Sequence, residues 1–274
     1  MSPLIYPSFL NENDQRQFEL EGYVIVCLHD ALLPDHLETF ISSLNPDFGQ
    51  SFYYSLMAFP PKKNMEISDH IQQLLLPETQ KMFKDYTLRN LSFIAKPGRI
   101  NDEMYLHQDW SFTDMDHFAT GTLWIPLCDT HYENGALFVL PGSHRLFKNY
   151  ISGSIPTMRI PSGSFSPSSY QILNVKRGQA VIFNPAVFHG SCPNQMDKVR
   201  IAVTASIFPK KAPFIYYKRT SSESITKVTI SDHLFLEKLT ELSTNDSSIP
   251  DGVDILYSEE ESRAPLSRLY THYT

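Results

Sequence analysis

The sequence predicts a mainly β protein: an antiparallel barrel or jelly roll, with helices that come earlier in the chain packed on one face. Three observations lead there. Helical periodicity is confined mostly to the part before about residue 87. From Leu88 to Phe208, short runs rich in Val, Ile, Phe, Thr and Tyr recur, each bounded by Pro, Gly, Asn or Asp. Helices first and strands afterwards is the order that such an architecture produces.

In chain order, Asn11 to Leu20 reads as a polar helix with Asn11 or Asn13 as its N-cap. Gly22 breaks it, and Tyr23 to Val26 is a short strand. Leu33 to Leu44 carries Leu37, Phe40, Ile41 and Leu44 at helical spacing, with Pro34 in the first turn. A third helical region is expected between Ser68 and Tyr86, interrupted at Pro77. Strands then follow at Leu88 to Lys96, "MYLHQ", Ala119 to Leu127, "ALFVLPGSH", "YQILNV", "QAVIFN" and Arg200 to Phe208. Phe112 to Phe118 and the Gly/Ser/Pro-rich stretch Ile151 to Ser169 read as loops over a mouth, the second long enough for a lid. "SDHLFLEKLTEL" is a helix, and Ser243 to Arg263 is polar and silent about chemistry. One domain over 1–274 is expected: a helical part to about 87, a barrel core over about 88–220 and an extension over 221–274.

Composition narrows the classes. Hydrophobic residues make up 42% and aromatics 12%, enough for a substantial core. A net charge of -7 argues against nucleic acid or an anionic membrane as partner. Three widely spaced cysteines, Cys27, Cys128 and Cys192, suggest neither a disulfide framework nor a zinc knuckle. With no signal-peptide pattern and no long apolar run, a soluble, cytoplasmic protein is expected.

The chemistry starts at "YLHQDWSF", Tyr105 to Phe112. On a strand, residues two apart share a face, so His107 and Asp109 project together. An imidazole and a carboxylate on one face clamp a divalent metal, and His189 in "AVFHGSCPN" is the candidate third ligand. Two histidines and one carboxylate leave open metal positions, as in non-haem Fe(II) oxygenases. Arg200 begins a β run, and an arginine facing a barrel interior needs an anion; a metal-bound diacid would supply it. Ser191 could add a hydroxyl to the same carboxylate. Taken singly, each feature has a bland reading: an HxD tripeptide is commonly a turn, and a lone arginine is commonly solvated. His117, His131 and His144 are rivals by residue type, but lie in polar or turn-like sequence.

The segments "HQDW", "GTLWIPLCDTHYENGALFVLPGSHR" and "VKRGQAVIFNPAVFHGSCPNQMDKVRIAVTASIF" together resemble the phytanoyl-CoA dioxygenase family. HxD, W-x-P-L, NG-x-L, PGSH, G-x-x-x-x-F and HGS…N…R occur in the family's order over roughly Leu88 to Phe208. The resemblance implies a double-stranded β-helix (jelly roll, cupin-like) and a dioxygenase that uses Fe(II), 2-oxoglutarate and O2. It implies His107, Asp109 and His189 as iron ligands, and Arg200 with Ser191 on the distal carboxylate of 2-oxoglutarate. Trp124 matches a position flanking the co-substrate, and Asn90 and Ser92 on the preceding strand could face the same site. Related halogenases carry a small residue where Asp109 stands, so hydroxylation is expected here. Desaturation, epoxidation and rearrangement share the same cofactor chemistry.

The substrate is expected to be a small metabolite, an amino acid or a natural-product intermediate, with a lipid or acyl group as alternative. Met104, Tyr105, Trp110, Phe112 and Phe188 are candidate lining residues, each with a role in the core as the competing reading. No basic cluster marks a coenzyme A phosphate site. A zinc hydrolase and a non-catalytic binding barrel are the competing classes. Arg200 argues against the first, and the intact ligand set against the second.

Overall fold

Residues 4–99, 103–146, 150–155, 160, 164–219, 224–244 and 253–256 are described in a computed structural model of the chain. The chain opens with β1 (Ser8–Phe9) and α1 (Glu12–Glu21). Asn11 caps α1, its Oδ1 accepting from the backbone N–H groups of Asn13 and Asp14. Gly22 ends the helix at φ 81°, a left-handed conformation, and its N–H donates to Phe18 O. A side chain here would also strike His144 Nδ1, only 2.5 Å from an added Cβ. β2 (Tyr23–Cys27) and α2 (Leu33–Ser43) follow as expected, with Leu37 and Ile41 fully buried.

Next come β3 (Tyr53–Tyr54), α3 (Ser55–Ala58) and α4 (Pro61–Thr79). The helix expected from Ser68 starts earlier and is not interrupted at Pro77. Pro77 lies in the last turn on the exposed face, where a missing N–H and the ring cost the helix little. The expected helical stretch up to Tyr86 instead contains β4 (Phe83–Lys84), paired with β1. Glu78 of α4 is buried and closes the turn after β2. Its carboxylate accepts from the N–H groups of His29 (2.6 Å) and Asp30 (3.0 Å), and from His29 Nδ1 at 2.8 Å. Glu78→Ala removes the shared acceptor of these three donors, which belong to the exposed turn residues His29 and Asp30. It is expected to lower stability by about 1 kcal/mol, read as a lower urea midpoint with an unchanged slope.

The remaining elements are β5 (Tyr86–Lys96), β6 (Met104–His107), β7 (Gly121–Pro126), β8 (Leu137–Val139), β9 (Gln171–Leu173), β10 (Gln179–Phe183), β11 (His189–Ser191), β12 (Arg200–Pro209), β13 (Ile215–Arg219), β14 (Ser224–Thr229), α5 (Asp232–Thr244) and β15 (Val253–Leu256). An antiparallel six-stranded sheet runs β2-β10-β7-β12-β5-β3, and a four-stranded one runs β6-β11-β8-β9. Strand alternation sorts their side chains into two cores. Leu123, Ile125, Val203, Ala205 and Ile207 point outward and pack with Phe18, Leu37, Ile41, Ile71 and Leu75 of the helices. Trp124, Val181 and Ala202 point inward and meet Leu137, Val139 and Leu173 of the smaller sheet. The result is a jelly roll with the N-terminal helices on one sheet, as the sequence predicts.

The C-terminal part holds strands that the sequence reading lacks. β13, β14 and β15 form a further antiparallel sheet. With α5 they make an aromatic cluster of Phe208, Phe214, Tyr216 and Phe235, which receives Trp110 and Phe112. The expected mouth loop Phe112 to Phe118 is clamped by this sheet. Lys227 Nζ donates to Asp114 (2.8 Å) and Asp116 (3.0 Å), and Tyr217 OH donates to Thr113 O at 2.8 Å. The stretch Ile151 to Ser169 is tied down where it is described. Ile160 and Leu106 exchange both backbone hydrogen bonds, and Ser111 N donates to Ile151 O. Residues 156–159 and 161–163 of the expected lid lie outside the described residues.

Candidate metal centre

His107 ends β6 and His189 begins β11, and the two residues are direct partners across the antiparallel ladder. His189 therefore stands on a short strand of its own. Asp109 follows β6 and is held by its N–H donating to Pro185 O at 2.9 Å. The three side chains converge: Asp109 Oδ1 lies 3.7 Å from His107 Nε2 and 3.5 Å from His189 Nε2. One ligand atom from each lies within 4.8 Å of the others, and this is the only such metal-capable group among the described residues.

Both imidazoles are oriented by backbone. His107 Nδ1 meets Tyr105 O at 2.8 Å, and His189 Nδ1 meets Val187 O at 3.0 Å. A carbonyl only accepts, so each Nδ1 carries a proton and each Nε2 is the atom left to ligate a metal. Burial alone would raise the Asp109 carboxyl, but His189 and His107 hold it well below the usual carboxylate range. Burial opposes charge on His189, and Asp109 outweighs it, raising the imidazole above its ordinary value. The donor set is two imidazole nitrogens and an ionised carboxylate oxygen, which suits a divalent transition metal such as iron.

The rival histidines do not join it. His117 pairs with Asp114 and His131 with Glu133, both at exposed positions. Buried His144 sits at Glu19 O, and burial pushes it down to about 4.

Arg200 opens β12 pointing inward, 1% exposed, with its guanidinium 5.4 Å from the Trp124 ring. Its Nε and Nη1 are buried with no hydrogen-bond partner, and so is Trp124 Nε1. Burial lowers the Arg200 pKa to about 10, so it stays charged at neutral pH. Opposite it in the β5–β12 register lies Lys96, fully buried. Lys96 Nζ donates to Ser191 Oγ (2.8 Å), Ser191 O (3.2 Å) and Cys192 O (2.7 Å). Sequence reasoning overlooked Lys96, although it continues the inward phase of Ser92 and Ile94 on one strand. Gly135 lets this corner close, since an added Cβ would meet Lys96 Cδ at 2.9 Å. Cys192 is a packed neutral thiol that burial pushes up to about 11.

The other expected site residues are scattered. Asn90 lies on β5, six residues before Lys96, and bonds Ser206 of β12, not the Arg200 corner. Phe188 leaves the set of lining residues: alternation turns it away from His189, into a closed cluster with Leu106 and Phe138. Phe112 is taken up by Phe214 and Phe235, with centroids 5.7 and 5.3 Å away. Tyr105 is exposed, and Met104 is half-buried opposite Ser191. Trp110 remains half-buried next to Asp109, 6.5 Å from the Tyr216 ring.

The family model for phytanoyl-CoA dioxygenase matches residues 35–202, more than half of the chain. The chain belongs to the phytanoyl-CoA dioxygenase family. Within the family, the phytanoyl-CoA dioxygenase of Arabidopsis thaliana is 26% identical over 183 residues. That match covers 57% of this chain and 64% of the plant protein, so the chain spans less than two thirds of this relative. Among solved structures, EvdO2 from Micromonospora carbonacea var. aurantiaca, complexed with 2-oxoglutarate, superposes with a TM-score of 0.53 at 19% identity. It covers 74% of this chain and 92% of that one. The epimerase SnoN, in complex with Fe3+, alpha ketoglutarate and nogalamycin RO, gives a TM-score of 0.53 at 17% identity, covering 89% and 94%. At these identities the likeness establishes the shared fold. No described helix is long and apolar enough to cross a membrane.

Proposed function

We propose that this member of the phytanoyl-CoA dioxygenase family is an Fe(II)- and 2-oxoglutarate-dependent dioxygenase that hydroxylates a C–H bond of a small molecule. His107, Asp109 and His189 would hold the iron. Arg200, with Trp124 Nε1 beside it and Lys96–Ser191 opposite, would take the distal carboxylate of 2-oxoglutarate. The observation that carries the reading is the unpartnered set Arg200 Nε, Arg200 Nη1 and Trp124 Nε1. All three atoms are donors only, and buried donors without acceptors are costly. A carboxylate supplies acceptors only and cancels the buried charge. A zinc hydrolase has no use for such a corner.

Bound iron supplies the activation of dioxygen that the side chains cannot. The overall balance is 2-oxoglutarate, O2 and R–H giving succinate, CO2 and R–OH, with one oxygen atom in succinate and the other in the product. The chain's own part is positioning. Backbone carbonyls orient both imidazoles, Asp109 would supply the oxygen ligand of the set, and Arg200 would set the co-substrate's direction.

The test is anaerobic addition of Fe(II) and 2-oxoglutarate, followed by air. Wild type is expected to develop a metal-to-ligand charge-transfer band, and then to form succinate. Tight Zn(II) binding with neither band nor succinate would refute the reading.

A further inference from the structure

The inward face of β5 and β12 changes character along its length. At one end stands the donor-only corner of Arg200 and Trp124. Ser92 and Thr204 pair in the middle, their hydroxyls 2.8 Å apart, and Asn90 Nδ2 donates to Ser206 Oγ at 3.3 Å further on. Thr122 lies opposite Ser206 on β7. Thr122, Thr204, Ser206 and Asn90 are partly exposed, whereas Val203, Ala205 and Ile207 on the opposite phase of β12 are buried in the helix-side core. The accessible inner wall is thus hydroxyl and amide, not hydrocarbon.

Four strand residues separate Arg200 from Thr204, about 13 Å, and six separate it from Ser206, about 20 Å. Tyr54 of β3 stands at this sheet edge, opposite Ile94 of β5. A co-substrate between Arg200 and the metal would leave the Asn90–Ser206 end for the molecule being oxidised. At that end Asn90 Oδ1 is buried without a partner, while the neighbouring Arg89 guanidinium is taken up by Asp232 and the Phe208 and Phe214 rings. A lone acceptor suits a hydroxyl group, which can donate to it. Asn90 is held at φ 52°, in the left-handed region, where β5 itself bulges: Asn90 and Leu91 stand against the single Ala205 of β12 between the Ser92–Thr204 and Arg89–Ser206 pairs. The bulge sets the amide against Ser206, whose Oγ accepts from Asn90 Nδ2.

We infer that the primary substrate is a hydroxyl-bearing polar molecule of the polyol or sugar class, and that Asn90, with Ser206 and Thr204, binds one of its hydroxyl groups beyond the metal. An unbranched acyl chain would leave the Asn90 amide desolvated and unpaired. This inference rests on the oxygenase reading.

The test uses the Fe(II)–2-oxoglutarate form of the full chain and follows its charge-transfer band. The probes are a panel of methyl glycosides and cyclitols, and a panel of fatty acyl-CoA thioesters. Asn90→Gly is the variant, since glycine keeps the positive φ and deletes only the amide. The expected result is a band shift and faster succinate formation with a member of the hydroxylated panel, and about tenfold weaker apparent affinity in Asn90→Gly. No shift from any member of that panel overturns the inference. So does a response to acyl-CoA that the variant preserves, or failure of Asn90→Gly to form the band, which would make Asn90 a co-substrate ligand. A wild type that never forms the band sinks the oxygenase reading instead. The panels are then scored by shifts in the melting temperature of wild type and Asn90→Gly, with the same two outcomes.

Discussion

Asp109→Ala is expected to abolish Fe(II)-dependent succinate formation from 2-oxoglutarate, by at least about 100-fold, because a ligand lost outright costs no less than a lost partner of a ligand. The cause lies in the geometry. Asp109 Oδ1 is the shared neighbour of both Nε2 atoms, at 3.7 and 3.5 Å. It is also the one anionic group of the cluster. Without it two neutral imidazoles remain, and iron is held by nitrogen alone. Metal content after desalting, read by mass spectrometry, should fall with activity. The fold should survive, since Asp109 follows β6 in the chain and its backbone N–H still donates to Pro185 O. Retention of stoichiometric iron and full turnover would show that the metal sits elsewhere.

Arg200→Met is expected to act in opposite directions on binding and on stability. The guanidinium is buried with two donors unpaired, so the protein without co-substrate carries an uncompensated charge. Replacing such a charge by an apolar chain of similar length is neutral or stabilising by about 1–4 kcal/mol. The same change removes the charge-assisted bonds that a carboxylate would make, a loss of about 10²- to 10³-fold in affinity for 2-oxoglutarate. Thermal melts with and without the co-substrate separate the two effects. Wild type should rise on adding 2-oxoglutarate with a divalent metal, and Arg200→Met should start at least as high and not respond. A variant that responds as wild type does would remove Arg200 from the proposed site.

Legibility differed by residue for physical reasons. His107 and Asp109 announced themselves because a strand repeats every two residues, so shared direction is written into spacing. Arg200 stood out as a charge opening a run of apolar and β-branched residues. Lys96 has the same property at the end of "LSFIAK", but only its register opposite Arg200 shows that the two cations share one corner. Phe188 reads as a cleft residue because it adjoins His189, although adjacency on a strand means opposite faces. Pro77 reads as a break in the third helix, whereas a proline in a last, solvent-facing turn costs little and the helix runs through it.

By itself the sequence determined that helices precede the barrel strands, that His107 and Asp109 share a face and which side chains are metal-capable, because these depend on local periodicity and residue chemistry. The tertiary structure alone decided the rest. It paired β11 with β6 and set His189 opposite His107, left Arg200 and Trp124 without acceptors and Asn90 without a donor, and folded the C-terminal sheet onto the segment after Asp109. Those facts come from pairing between strands far apart in the chain, and burial assigns their energetic meaning.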